Sequence, residues 1–130
     1  MSTYQGKAVH LVGHCGPDSF MLKNALERAL PGATVSMVNE ESVLQDAMGG
    51  SSLLLVNRVL DGAFPTESGV ELIRTLAAAD KAPPAMLISN FADAQEEAES
   101  AGAVPGFGKN DTGSPEAAEK IVAAVGGADA

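Results

Sequence analysis

An α/β fold, with a five-stranded parallel sheet covered by helices on both faces, is predicted by three features of the sequence. The apolar pattern switches repeatedly between a strand-like period and a helical one. The third strand candidate, Leu53 to Val56, is uniformly apolar, as expected of a strand buried on both faces. Strand and helix candidates alternate along the chain, which implies right-handed crossovers between parallel strands.

The elements follow in order. "KAVHLVG" (Lys7 to Gly13) reads as the first strand, stopped by Gly13. "DSFMLKNALERAL" (Asp18 to Leu30) reads as a helix whose apolar stripe is Phe20, Leu22, Ala25, Leu26, Ala29 and Leu30. Asp18 or Ser19 supplies its N-cap, and Pro31-Gly32 ends it. "ATVSMV" (Ala33 to Val38) alternates as a second strand, and "ESVLQDAM" (Glu41 to Met48) forms a short helix closed by Gly49-Gly50. "SSLLLVNRVLDG" (Ser51 to Gly62) holds the third strand, placed centrally, whose end delivers the polar Asn57. A loop through Ser68 leads to a helix from Gly69 to Ala79. "PPAMLISN" gives the fourth strand, with Pro83 and Pro84 confined to its start because they cannot donate to a ladder. "FADAQEEAESAG" is an acidic helix and "AVPGFGK" the fifth strand. "SPEAAEKIVAAVGG" is the last helix, with Ser114 as N-cap and Pro115 at its first position. The tail "GGADA" is expected to fray, which leaves one domain with an ordered core of about residues 6–126.

Five short strands are too few for a barrel and favour an open, flavodoxin-like sheet. In such sheets ligands bind outside the C-terminal ends of the strands. That rule selects Gly13, His14 and Cys15 after the first strand, and Asn57 and Arg58 after the third. Ser89 and Asn90 follow the fourth, and Lys109 and Asn110 the fifth.

Composition excludes several classes of function. A chain of 130 residues, 45% of them apolar, can bury a full core, built from aliphatic side chains because only four Phe, one Tyr and no Trp are present. A net charge of −9 argues against nucleic acid. Between Ala82 and Glu119, Lys109 stands alone against seven acids. That surface is either a solvated acidic face or one that recruits a basic partner. One cysteine cannot form an internal disulfide, so a reducing cytoplasm is the expected compartment. Neither a signal peptide nor an apolar run near the ~20 residues needed to span a bilayer is present, so no membrane association is expected. Hydrolase and dinucleotide-binding readings lack their motifs: there is no G-x-S-x-G, and "GHCGPD" lacks the spacing that cradles a pyrophosphate.

"LLLVNRVLDG", "MLISN" and "AGAVPGFGKN", in this order and spacing, resemble the receiver domain of two-component response regulators (CheY-like) over nearly the whole chain. The resemblance implies a phosphorylation pocket. In it, two acids after the first strand and an acceptor aspartate hold Mg²⁺, and the aspartate attacks a phosphoryl group. A hydroxyl and a lysine then bind the acyl phosphate and couple it to loop movement. Carried onto this chain, the two acids fall on Gly13 and His14, the acceptor on Asn57, the hydroxyl on Ser89 and the lysine on Lys109. All three anions are missing, which leaves a positive bias at Lys109, so no Mg²⁺ or other cofactor is expected. Asn110 replaces the family's proline after the lysine, Gly106 takes the aromatic switch position with Phe107 one place later, and the loop from Gly62 to Gly69 is longer than the family's usual turn.

The resemblance therefore implies a degenerate pseudo-receiver: a non-enzymatic, phosphorylation-independent signalling module acting by protein–protein interaction. By analogy with receivers it would work through the face of the fourth helix, fifth strand and fifth helix, with a homodimer as one such partnership. Two other readings stay open. An active receiver would use a displaced acceptor, Asp61 or Asp18. A redox or small-molecule sensor would use His14 and Cys15 with Ser89 and Lys109, since a thiol between a strand end and a helix start is a place where reactivity can rise. Individually, Asn57 reads as a structural amide bonding loop backbone or as a ligand-controlling group, and Lys109 as a donor to Asn57 or nearby carbonyls. Ser89 equally fits a cap of the acidic helix. A metal site at His14 and Cys15 is not expected: three or four ligands are needed, and the other histidine, His10, lies on the strand itself.

Overall fold

A computed structural model describes residues 4–79 and 82–126 of the chain. Its strands are β1 (Ala8–Val12), β2 (Thr34–Val38), β3 (Leu53–Asn57), β4 (Ala85–Ile88) and β5 (Val104–Phe107). They pair in parallel in the order β2-β1-β3-β4-β5. The helices are α1 (Gly16–Ala29), α2 (Glu41–Met48), α3 (Gly69–Ala77), α4 (Ala92–Ser100) and α5 (Pro115–Val125), with a 3₁₀ turn at Lys109–Asp111. This is the flavodoxin-like three-layer sandwich that the alternating pattern predicts.

The two sheet faces divide the core. Val9, Leu11, Leu53, Leu55, Met86 and Ile88 pack with Leu22, Leu26, Ala117 and Ile121, which puts α1 and α5 on one side. Val12, Val38, Leu54, Val56 and Leu87 pack with Leu44, Val70, Ile73 and Ala98, which puts α2, α3 and α4 on the other. In β3, Leu53 to Val56 are all fully buried because successive side chains feed opposite clusters. The uniform apolar run is the direct consequence.

The pairing of β4 with β5 is irregular: Met86 pairs with Val104 but Ile88 with Phe107, so β5 carries one extra residue. Pro105 lies in this stretch and has no N–H to give a ladder, which suits an edge strand with a bulge. The amide of Gln95, on α4, closes the gap. Its Nε2 donates to the carbonyls of Leu87 (2.9 Å), Ser89 (3.1 Å) and Phe107 (3.3 Å).

Several boundaries differ from expectation. Helix α1 begins at Gly16, with Cys15 as an N-cap that makes no side-chain cap bond, so neither Asp18 nor Ser19 caps it. Pro17 sits in the first turn, where its fixed φ suits a helix and its missing N–H costs nothing. Phe20 is 70% exposed and leaves the proposed stripe. Ser19 takes the inward position instead and is buried at the level of the His14 carbonyl, to which its Oγ donates at 3.5 Å. Helix α3 ends at Ala77, two residues early. The part of the tail beyond Gly126, where fraying is expected, lies outside the described residues. Among the described residues no helix is long and apolar enough to cross a membrane.

Helix α5 starts as read. Ser114 accepts a hydrogen bond from the Ala117 N–H at 3.1 Å, and Pro115 follows in the first turn. Ser114→Ala should lower the free energy of unfolding by about 1 kcal/mol. Urea denaturation measures this, and an unchanged midpoint would contradict the cap.

Candidate functional site

The C-terminal strand ends converge as the fold requires. Asn57 closes β3, Ser89 follows β4, and Lys109 opens the 3₁₀ turn after β5; the three line a common cleft of about 160 Å³ with Arg58, Val59 and Phe91. Gly13 and His14 do not line it, because both are buried beneath the loops.

Backbone geometry explains Gly13. Its φ is +73°, a left-handed conformation that side chains disfavour, and a Cβ there would stand 2.6 Å from Leu60 Cδ2. Leu60, in the loop after β3, is 7% exposed and fills the space where a side chain at position 13 would go. The Gly13 carbonyl is also occupied. It accepts from Asn57 Nδ2 at 3.0 Å and from the Asp61 N–H at 2.9 Å.

The same contacts explain why position 57 is an amide. Asn57 Nδ2 donates to the Gly13 carbonyl and, at 2.8 Å, to that of Val59. A carboxylate has no proton for either bond. The amide joins the end of β1 to the loop after β3, which is its structural reading made specific.

Lys109 does not meet Asn57 or a backbone carbonyl, the two partners expected of it. Its Nζ donates to Asp18 Oδ2 at 2.7 Å, with both side chains partly buried. The positive bias inferred at Lys109 is therefore cancelled by an acid from α1. The Lys109 ammonium holds the Asp18 carboxyl below its ordinary range, against partial burial, and a hydrogen bond from the Cys15 thiol acts in the same direction. Cys15 itself is partly exposed.

His14 is 1% exposed and its Nε2 lies 2.9 Å from the Leu55 carbonyl. A carbonyl only accepts, so Nε2 carries the proton and donates. Nδ1 is then a bare lone pair, buried without a hydrogen-bond partner. Burial pushes the pKa of His14 down to about 4, against the pull of the Leu55 carbonyl, so the imidazole is neutral near pH 7. His10, on β1, bonds Ser51 Oγ through Nδ1 at 2.9 Å and is shifted down by burial as well.

The remaining polar residues brace the loops. Ser89 Oγ accepts from the Phe91 N–H at 3.1 Å, a turn contact; the N-cap of α4 is Phe91 itself. Asn90 Oδ1 accepts from the Asn110 N–H at 3.1 Å and ties the loops after β4 and β5 together. Phe107 is a core residue, 4% exposed, and a side chain at Gly106 would collide with the Leu87 carbonyl. The exposed aromatic at this end is Phe91, 60% exposed, with the Arg58 guanidinium 4.8 Å from its ring centroid. Leu60, Gln95 and the pairing of Arg58 with Phe91 escaped sequence reasoning. The available signals were an apolar residue inside a polar loop and one amide among the acids of α4. Among the described residues, no group of three or more His, Cys, Asp or Glu gathers as a metal site would require.

No family model matches the chain, and no curated protein matches its sequence. Solved structures are similar in fold. The signal receiver domain of the DNA-binding response regulator merR from Colwellia psychrerythraea 34H gives a TM-score of 0.69 at 14% identity, over 88% of this chain and 94% of that one. The non-phosphorylated receiver domain of the stress response regulator RcsB from Escherichia coli gives 0.69 at 11% identity, over 95% and 96%. A response regulator from Burkholderia pseudomallei, crystallised with a phosphorylated aspartic acid, a calcium ion and citrate, gives 0.64 at 20%, over 92% and 66%. The chain thus has the fold of a response-regulator receiver domain.

His14 makes stability pH-dependent. Its folded pKa lies below its ordinary 6.5, so the unfolded chain binds the extra proton first. The stabilisation is complete above about pH 6.5 and is lost as pH falls toward 4, to a total of about 3 kcal/mol. The depressed Asp18 contributes a further loss below its ordinary 3.8. Urea midpoints measured from pH 7 to 4.5 should fall steeply in the parent chain and more shallowly in His14→Gln, with a remainder from His10. Equal slopes would refute the assignment.

Proposed function

We propose that this chain is a phosphorylation-independent signalling module of receiver type that acts through protein contacts, without catalysis and without Mg²⁺. The observation that carries the reading is the use of the Asn57 amide as a donor to the Gly13 and Val59 carbonyls. The group that stands where a receiver has its nucleophile is engaged in holding two loops. Its neutral amide is a far weaker nucleophile than a carboxylate.

The residues do not fit Mg²⁺, which takes near-octahedral oxygen ligation with carboxylates in its shell. At position 13 there is no side chain and Leu60 fills the space; at 14 the imidazole is buried, neutral and bonded to Leu55. Lys109 has Asp18 as its partner. A fixed set of loops suits a module read by its surface. The partner is a protein of a cytoplasmic signalling pathway, and a second copy through the α4–β5–α5 face is the arrangement that receiver analogy favours. No nucleic acid or membrane role is proposed.

One observation favours a second reading. Asp18 is the carboxylate beside Lys109, so it is the better placed of the two displaced acceptors; Asp61 has its N–H on the Gly13 carbonyl and is exposed. Incubation with acetyl phosphate and Mg²⁺, followed by intact mass measurement, separates the two. The mass should be unchanged. A labile phosphate adduct, mapped to Asp18 or Asp61, would overturn the leading reading. A redox role has a separate check: oligomeric state and stability should be the same before and after oxidant, and in Cys15→Ser.

Asn57→Asp should not restore phosphorylation. It points a carboxylate at two carbonyl oxygens and removes their donor, so it should cost about 1–3 kcal/mol of stability. A variant that is more stable, or that takes up phosphate, would contradict this account of position 57.

A further inference from the structure

Next to the strand-end cleft lies a larger one of about 460 Å³, between the loop after β3, the start of α3 and the first turns of α4. Val70 and Ala94 form part of its lining and belong to or pack against the core cluster beneath. Val59 and Phe91, 52% and 60% exposed, give it two apolar walls open to solvent. Its rim carries the carboxylates of Glu67, Asp93 and Glu97 against one cation, Arg58. That cation is committed to one face of the Phe91 ring, at 4.8 Å. Among the described residues, none of the three carboxylates takes part in an ion pair. Helix α4, which supplies two of them, contains no basic residue.

We propose that this cleft docks a basic segment of a partner protein, one apolar side chain flanked by lysines or arginines. The proposal rests on the protein-contact reading and specifies its surface. The two exposed apolar walls would take one aliphatic or aromatic anchor. The unpaired carboxylates supply the complement for flanking cations, which speeds encounter and rejects acidic competitors. A second copy of this chain is a poor occupant, since its net charge of −9 opposes approach to an acidic rim. Anionic lipid and nucleic acid are rejected on the same ground. The cleft shares Arg58, Val59 and Phe91 with the smaller one, so its occupant would lie against the loop that Asn57 holds.

The test uses the full chain at low ionic strength and a short synthetic peptide of leucine and lysine in helical spacing. Two control peptides accompany it, one with glutamate for lysine and one with serine for leucine. Amide shift mapping by NMR should place the leucine–lysine peptide on Val59, Glu67, Phe91, Ala94 and Glu97, and both controls should bind far more weakly. Asp93→Lys with Glu97→Lys should weaken binding about tenfold. Phe91→Ser should do the same, and serine at this N-cap position keeps the helix start intact. Glu119→Lys, on α5, should have no effect. Absence of binding, shifts on β5 and α5, or equal binding of the leucine-free peptide would overturn the proposal. Sedimentation showing self-association through these residues would overturn it in favour of a second copy. Peptide binding elsewhere removes the cleft and leaves the protein-contact reading standing, whereas an acetyl phosphate adduct removes that reading and leaves a mapped cleft in place.

Discussion

The Gly13 carbonyl is the point on which this end of the molecule depends. It receives the Asn57 side-chain amide from β3 and the Asp61 backbone amide from the following loop, while the Gly13 N–H reaches the Val38 carbonyl at the end of β2. Three neighbouring strand ends are thereby joined around one left-handed residue. Leu60 can seat itself only because that residue has no side chain. Each feature of the site requires another: the amide at 57 serves the carbonyl at 13, the glycine at 13 admits Leu60, and Leu60 keeps the loop down over both.

On the other side of the sheet's edge, the ties are electrostatic and polar. Lys109 links the turn after β5 to α1 through Asp18, and Asn90 links the loops after β4 and β5. Gln95 spans the bulge in the stretch that holds Pro105. With Phe107 in the core and Gly106 confined by Leu87, no aromatic at these two positions stands free to turn between inward and outward rotamers. These contacts tie the loops at this end of the sheet to one another. Response through a bistable element would need contacts that differ between two arrangements.

The sheet was legible because burial on two faces leaves a strong imprint: Leu53 to Val56 had to be apolar at every position. Helix α5 was legible because Ser114 and Pro115 are a local signal acting within one turn. The start of α1 was misread since Asp18 and Ser19 are good caps in isolation, whereas Pro17 is already inside the helix. The site was legible as a set of positions and much less as a set of contacts. Lys109 and Asp18 are 91 residues apart, and no periodicity links a lysine's rotamer to one acid among many. Leu60 was hidden for a related reason. An apolar residue in a polar loop is ordinary, and its meaning comes only from the empty space above Gly13.

The glycine at position 13 couples three positions that lie apart in sequence. Placing acid side chains at positions 13 and 57 would require changing Gly13, Asn57 and Leu60 together. An acid at 13 meets Leu60, an acid at 57 faces two carbonyls, and a smaller residue at 60 leaves a void while the glycine remains. Such neighbouring changes are not additive, and each taken alone moves a marginally stable chain toward unfolding. The three positions are thus locked to one another by packing, and none of them can be exchanged alone without loss of stability.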